Sequence, residues 1–213
     1  MRMLGFPKKT ELNKPIPKEA IKKKFALKGP AKDRFDADIK KLAIIHELSP
    51  TSINAEVGKT VPVIYVLRVT LKTKDFDAKN IQLISKLIEQ QMVFVLEVEG
   101  QACLAAYYTR LLKSPWQPLE SLEIKLSGLN LDTIWENLLI EIGGIAIQNG
   151  NSLAEQLAID EKRQKLEKQI AALEKQARAE SQPKKKFELV EKIRSLEASR
   201  SEVNGVLVNR ASE

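Results

Sequence analysis

The sequence has few of the residues that most metal sites and nucleophilic enzymes require. It contains one histidine, His46, and one cysteine, Cys103. A zinc site of the usual kind needs three or four His or Cys ligands, so one chain cannot supply it. A lone cysteine cannot form an internal disulfide, which favours a reducing, cytoplasmic environment. A Cys103–His46 dyad is formally open, but the stretches "QACLAAYY" and "IIHEL" are typical of buried, inert side chains.

The sequence also lacks the motifs of phosphate-binding loops and the apolar runs of membrane-spanning segments. The nine glycines are scattered, and none forms GxxxxGK or GxGxxG. No apolar run approaches the roughly 18–20 residues that span a bilayer, and the N-terminus lacks the apolar segment of a secretory signal. We therefore predict no cofactor, no metal, no catalytic residue set and no membrane insertion.

A divergent metal-dependent nuclease is the catalytic alternative. Such an enzyme would need an acid on one strand and Glu-x-Lys on the next, around a magnesium ion. Glu47, Glu56, Glu97 and Glu99 are available acids. However, the apolar run "VIYVLRVTL" carries no acid, and Glu97 and Glu99, predicted to share one face of a strand, have no lysine between them. A solvated strand face explains this pair equally well.

Positive charge, by contrast, is abundant and uneven. The net charge is +7. Residues 1–41 hold 13 Lys and Arg against 5 acids, residues 42–150 hold 9 against 12, and residues 151–213 hold 13 against 11. A basic N-terminal arm on a mildly acidic body favours an anionic partner, most commonly a nucleic acid.

The stretch "KPIPKEAIKKKFALKGPAKDR" concentrates this charge. It predicts a helix from Pro17 to Lys28, with Ile21 and Phe25 on the buried side and a stop at Gly29-Pro30. The exposed side could hold phosphates, dock an acidic protein or simply be solvated. It has almost no exposed aromatic residue, so stacking on single-stranded bases is poorly supported. The candidate nucleic-acid-binding residues are Lys8, Lys9, Lys14, Lys18, Lys22, Lys23, Lys24 and Arg34.

The middle of the chain predicts a mixed α/β (α+β) fold with a four- to five-stranded sheet and flanking helices. "KKLAIIHEL" and the Val/Ile-rich "PVIYVLRVTLK" read as strands, the second of them central. A helix over "DAKNIQLISKLIEQQ", capped by Asp77, leads to a hairpin that turns at Glu99-Gly100. "PLESLEIKL" suggests a further edge strand, and "LDTIWENLLIEIGG" a helix with a Thr133…Glu136 capping box. We predict an arm at 1–41, a core at 42–150 and a helical region at 151–213.

The C-terminal region predicts two helices joined by "SQPKKK". Their apolar residues recur in alternating steps of four and three, as in a coiled coil, with Arg163 interrupting the seam. The short connection favours an antiparallel hairpin, which could bind a partner or join two copies of the chain. Trp116, between two prolines, is either an interface anchor or a lid on the sheet. The candidate partner-binding residues are Trp116, Ile159, Leu166, Ile170, Leu173, Leu189, Ile193 and Leu196.

Four segments together resemble a known bacterial family. They are "LGFPKKTELNKPIPK", "SPTSINAEVGKTVPVIYVLRV", "LSGLNLDTIWENLL" and "EKRQKLEKQIAALEKQARAE". The chain is identified as similar to the domain-of-unknown-function family numbered forty-three ninety-one, over nearly its whole length. The resemblance implies a companion of helicases and DNA methyltransferases in restriction-like and anti-phage gene neighbourhoods. It implies no catalytic residues.

We therefore expect a cytoplasmic, non-catalytic accessory subunit of a bacterial DNA-processing or antiviral defence system. Its N-terminal lysines would bind nucleic acid, and its helical hairpin would bind a protein of the helicase or methyltransferase type. A metal-dependent nuclease and a structural homodimer are the alternatives.

Overall fold

The computed structural model describes residues 4–148 and 150–209, with side chains described as far as Val203 in the last helix. Their contacts divide the chain into two units, residues 1–145 and 146–213. Residues 1–41 and the sheet thus belong to one unit. Among the described residues, no helix has the length and apolar character needed to cross a bilayer.

The N-terminal unit is a seven-stranded mixed sheet with helices on both faces, which confirms the predicted fold class with more strands than expected. Its strands are β1 Glu11–Pro15, β2 Ile39–Leu48, β3 Ile64–Leu71, β4 Gln91–Val98, β5 Gln101–Tyr107, β6 Leu111–Lys113 and β7 Gln117–Pro118. Its helices are α1 Lys18–Lys24, α2 Gly29–Asp38, α3 Pro50–Ile53, α4 Ala78–Ser85 and α5 Leu131–Gly143.

The strands run in the order β1-β2-β3-β4-β5-β6, and β7 pairs with β5. Only β3 and β4 are parallel, joined through α4, and the other pairs are antiparallel. The apolar run of β3 is central, as predicted. The turn between β4 and β5 has positive φ at both Glu99 and Gly100, the geometry that two-residue hairpins favour. Glu99 therefore lies in the turn and does not share a strand face with Glu97, contrary to the prediction.

Alternating residues of the sheet build two cores. On one face, Leu67, Phe94 and Cys103 pack with Ile21 of α1 and Phe35 of α2, and α4 contributes Ile81 and Ile84 to the same cluster. On the opposite face, α5 packs on β5 and β6. Its buried residues include Trp135. The layers bring α1, α2 and α4 to one face of the sheet and α5 to the other.

Several predicted boundaries are wrong. α1 ends at Lys24 instead of the predicted Lys28, and Gly29-Pro30 opens α2, because proline is well tolerated in the first turn. The cap of α5 is Asn130, whose side chain accepts from the Thr133 amide, so Thr133 is not the cap. α4 ends at Ser85 instead of continuing to Gln91. "PLESLEIKL" forms no strand beyond Pro118, because the chain enters a 3₁₀ turn at Leu119–Ser121.

The C-terminal unit contains α6 Leu153–Ala179 and α7 Pro183–Asn209. Ser152 and Glu155 form a reciprocal capping box at the start of α6. Only three residues connect the helices, so they fold back as an antiparallel pair. Pro183 begins α7, which places Lys184, Lys185 and Lys186 in its first turn instead of in the predicted longer connection.

His46 anchors the N-terminal segment from within β2. The Thr10 hydroxyl donates to the Pro7 carbonyl at 2.7 Å, so its oxygen accepts from His46 Nδ1 at 2.9 Å. The Phe6 ring meets the imidazole edge-on at 5.0 Å between centroids. Burial lowers the pKa of His46 below its usual value of 6.5, and the carboxylate of Glu11 opposes this only partly. His46 is therefore a structural residue that is neutral at pH 7.

We expect acid to destabilise the N-terminal unit through His46. The unfolded chain protonates His46 more readily than the folded one. The stability that neutral His46 contributes is therefore present above pH 6.5 and is lost as the pH falls toward the lowered pKa. Urea midpoints at pH 7.5 and 5.0 measure the effect. His46→Asn, whose amide nitrogen can replace Nδ1, should show a smaller decline than the wild type. Equal declines in both proteins would contradict the assignment.

Candidate functional site

The lysines of α1 are not equivalent. Lys22 Nζ contacts both carboxylate oxygens of Asp36 at 2.8 and 2.9 Å and Glu19 at 2.6 Å, and its side chain is only 9% exposed. Lys18 Nζ donates to the same Asp36 at 3.0 Å and to the Ile39 carbonyl. Hydrogen bonding from Lys22 and Lys18 lowers the pKa of Asp36, and Asp36 and Glu19 raise the pKa of Lys22. These two ammonium groups hold α1 to α2.

Arg34 is also paired, but at the surface. Its Nη1 donates to Asp77 at 2.9 Å, and its side chain stays 63% exposed. The Asp77 carboxylate also accepts from the Lys79 amide at the start of α4. That backbone bond, followed by the Arg34 contact, lowers the pKa of Asp77. Arg34 therefore links α2 to the cap of α4.

The remaining candidate lysines keep their charge uncompensated. Lys9 and Lys24 donate to the backbone carbonyls of Thr51 and Leu87. Lys8, Lys14 and Lys23 are exposed, and no ion pair or hydrogen bond joins them to another described side chain. Sequence reasoning missed four further exposed lysines of the same segment, which lie between or at the ends of its elements: Lys28, Lys32, Lys40 and Lys41.

A cleft of about 640 Å³ opens beside this basic segment. Its lip is the extended chain from Pro15 to Lys18, which leaves the edge strand β1. Its floor is formed by Ala43 of β2 and by Arg68 and Thr70 of β3. Ala43 pairs with Arg68 across the β2–β3 ladder, so these residues share one sheet face. That face is opposite the one covered by α1, α2 and α4.

Arg68 and Glu97 form the charged centre of the cleft. Arg68 Nε donates to Glu97 Oε2 at 2.5 Å, with side chains 35% and 16% exposed. The pair spans the parallel β3–β4 ladder, where Thr70 stands opposite Glu97. Lys40 and Lys41 add two exposed cations to the lining. Sequence reasoning named Glu97 only as a possible metal ligand and gave Arg68 no role, since the two residues are 29 positions apart.

The acids of the nuclease alternative are dispersed. Glu97 is bound to Arg68, and Glu47 interacts with the hydroxyl of Tyr65, whose pKa is raised by burial and then by this carboxylate. Glu56 lies in an isolated bridge to Asn130, outside the named strands. Within the described ranges, no three His, Cys, Asp or Glu side chains gather as a metal site would require.

Cys103 and His46 do not form a dyad. Cys103 lies on β5 and His46 on β2, so β3 and β4 separate them by about 14 Å at the usual strand spacing. Cys103 is fully buried, and burial raises the pKa of its thiol to about 11. It is a small apolar core residue.

The candidate partner-binding residues fall into two groups. Trp116 is half-buried against the core that contains Phe94, and Lys74 Nζ lies 5.4 Å from the centre of its ring. In the helical pair, Leu166 and Ile170 are buried, and the other members are partly exposed. Those partly exposed members are Ile159, Leu173, Leu189, Ile193 and Leu196.

The helical pair also presents a groove and an exposed aromatic residue that the sequence did not single out. A groove of about 480 Å³ between α6 and α7 has Ala172, Leu173 and Leu196 in its lining. Phe187, near the start of α7, is 65% exposed. Arg163, which interrupts the apolar seam, bonds to Asp160 one turn earlier at 2.8 Å. The pair therefore has a thin core and apolar side chains still open to solvent.

Comparison with known proteins finds one family whose match covers these features. The family described as Domain of unknown function (DUF4391) matches residues 4–199. The chain belongs to this family. The resemblance found in the sequence is thereby confirmed, and the match covers the lysine-rich segment, the cleft and most of the helical pair of this DUF4391 domain. No curated protein and no solved structure matches the chain.

Proposed function

We propose that the protein is a non-catalytic accessory subunit of a bacterial DNA-processing, defence-related system. Its N-terminal unit binds the backbone of a nucleic acid, and its helical pair binds a protein of the helicase or methyltransferase type. The observation that carries the first part is the set of exposed lysines, between Lys8 and Lys41, whose charge no described acid neutralises.

The chemistry of these residues favours backbone contact over base recognition. Lysine is a point charge that follows phosphates and carries little sequence information. The three rings of the basic segment do not offer a stacking surface, since Phe6 and Phe35 are buried and Phe25 packs partly against the core. The proposal is therefore for sequence-tolerant binding with a strong salt dependence.

The ion pairs change which lysines carry the proposal. Lys18 and Lys22 share Asp36, and Arg34 is bound to Asp77, so these three have less charge to offer a phosphate. Lys8, Lys14, Lys23 and Lys28 are exposed and without such a partner among the described residues. The proposed phosphate contacts are assigned to this second group, referred to below as the four arm lysines.

The helical pair supports the second part of the proposal. Its groove residues Leu173 and Leu196 and the exposed Phe187 offer apolar contacts, and aromatic anchors of this kind are enriched at protein interfaces. Three lysines in the first turn of α7 add positive charge beside Phe187. In the alternative, a second copy of the chain occupies the same groove and forms a homodimer.

Fluorescence anisotropy with a random-sequence labelled duplex tests the nucleic-acid part. Replacing the four arm lysines by alanine should weaken binding and flatten the salt dependence by up to about four phosphate contacts at ~0.9 each. The matched control replaces Lys72, Lys79, Lys86 and Lys125, which are exposed on the same unit and remove the same charge. The control should retain most of the wild-type slope.

Two results would count against this proposal. If the wild type does not bind the duplex even at low salt, the arm lysines are only solvated. If both quadruple variants lose affinity by the same factor, net charge alone explains the binding, and the four arm lysines are not a specific binding surface. Incubation of the duplex with the protein and Mg²⁺ addresses the nuclease alternative. Cleavage that Glu97→Ala abolishes would indicate a nuclease instead of an accessory subunit.

A further inference from the structure

The cleft has a composition that the backbone-binding proposal does not use. Pro15, Ile16 and Pro17 form an apolar wall beside Ala43 of the floor. Opposite this wall lie the charged groups of β3 and β4. Its volume of about 640 Å³ falls within the roughly 300–1,000 Å³ of small-molecule sites. The cleft can therefore hold a ligand larger than a single inorganic ion.

Arg68 has unused donors that face this space. A guanidinium carries five N–H donors, and only Nε–H is bound, to Glu97. No buried side-chain nitrogen or oxygen in the described part of the chain lacks a partner. The Nη groups are therefore accessible, on a side chain that lines the cleft and is itself only 35% exposed. A partly desolvated fork of this kind binds a phosphate in two places at once.

The other polar groups of the lining favour the same ligand. Lys40 and Lys41 stand at the start of β2, and Thr70 stands beside Arg68 on the same face of β3. Lys18 is less available, because its ammonium is bound to Asp36. Glu97 is the one carboxylate in the lining, so the cations outnumber it.

We propose that this cleft binds a nucleotide through its phosphate monoester, either as a free mononucleotide or as the phosphorylated end of a strand. The phosphate takes the unused Nη donors of Arg68 while Glu97 stays on Nε, with Lys40 and Lys41 completing the charge. The sugar and base lie along the Pro15–Pro17 wall. Glu97 holds Arg68 in place through Nε, and its negative charge repels the anionic ligand. The proposal goes beyond backbone binding and does not require it.

Calorimetric titration of the full chain with adenosine 5′-monophosphate tests the assignment. Wild-type protein should bind it, and adenosine, which lacks the phosphate, should bind about tenfold more weakly or not at all, as expected for lost charge-assisted hydrogen bonds. Arg68→Gln should lose a similar factor. Glu97→Gln should gain affinity several-fold, although it removes an ion pair of the fold. A purely structural pair predicts no such gain.

Further variants keep the test independent of folding and of the arm lysines. Lys41→Gln changes an exposed side chain of the lining and should weaken binding, whereas Lys79→Gln, exposed but outside the cleft, should not. The variant without the four arm lysines should bind the mononucleotide normally, so this result stands whatever the duplex experiment gives.

A short single strand with and without a 5′-phosphate distinguishes the two sources of the phosphate. Tighter binding of the phosphorylated strand than of the mononucleotide, lost in Arg68→Gln, assigns the cleft to strand ends. Tighter binding of the mononucleotide than of the phosphorylated strand assigns the cleft to free nucleotides. The proposal is overturned if neither phosphate ester binds at millimolar concentration. It is also overturned if Arg68→Gln and Lys41→Gln leave their binding unchanged.

Discussion

Replacing Phe35 by alanine is expected to lower the free energy of unfolding of the N-terminal unit by about 3–5 kcal/mol. Phe35 is completely buried and is the largest apolar side chain that α2 contributes to the core. It packs in the cluster that contains Ile21 of α1 and Ile39 at the start of β2. Truncation leaves a cavity that two short helices, of seven and ten residues, can only partly refill.

Urea unfolding followed by tryptophan fluorescence measures this loss. The chain has two tryptophans, Trp116 and Trp135, and both belong to the N-terminal unit, so the signal reports that unit. Leu129→Ala is the matched control, because Leu129 is 81% exposed on the same unit. It should change stability by less than about 0.5 kcal/mol. A Phe35→Ala loss below about 1 kcal/mol would contradict the packing described.

The same substitution should also weaken duplex binding. Phe35 holds α2 to the sheet, and Asp36 beside it holds Lys18 and Lys22 of α1. The geometry of the basic segment therefore depends on one aromatic anchor and one carboxylate. Function and stability are coupled here because Lys23 lies on α1 and Lys28 directly precedes α2, and helices of seven and ten residues are too short to be stable alone.

The sequence predicted the elements whose local and tertiary preferences agree. The apolar run of β3 is central because both of its faces are covered, and Gly144 ends α5 in the left-handed conformation that glycine adopts without strain. Each of these signals is local, so reading along the chain was sufficient.

The failures arise where a distant part of the chain decides the outcome. "PLESLEIKL" alternates as a strand should, and Leu122 and Ile124 are indeed buried. However, the bond from the Leu119 amide to the Gly100 carbonyl is in register with the β5–β7 pairs, and the chain then turns away through Leu119–Ser121. β1 was not expected as a strand, because all five of its residues are exposed and only its pairing with β2 defines it. No periodicity marks such an edge strand.

The candidate sites show the same limit. Counting charges found the basic segment, but it could not distinguish Lys22, which is buried beside Asp36, from Lys23, which is exposed. The distinction depends on α2 folding back on α1. Likewise, the Arg68–Glu97 pair exists only because β3 and β4 are parallel and in one register. Pairing partners 14 and 29 residues apart carry no signal in a single sequence.

Ile170→Asp is expected to separate α6 from α7. Ile170 is 5% exposed between two helices that share a thin core. An unpaired carboxylate at this position costs about 3–5 kcal/mol, and neither helix has a large alternative core. Circular dichroism at 222 nm should fall well below the wild-type signal, since α6 and α7 comprise 27 residues each. Ala171→Asp adds the same charge at an exposed neighbouring position and should leave the signal nearly unchanged.

This pair of variants also tests the role of the helical pair. If the pair binds the proposed partner of the helicase or methyltransferase type, Ile170→Asp should abolish co-purification with that partner, and Ala171→Asp should retain it. Duplex affinity should be the same in both variants, because the four arm lysines lie in the other unit. Light scattering addresses the homodimer: a mass that halves in Ile170→Asp alone would assign the groove to a second copy. If both variants keep the wild-type mass and the partner, the helical pair is not the docking surface.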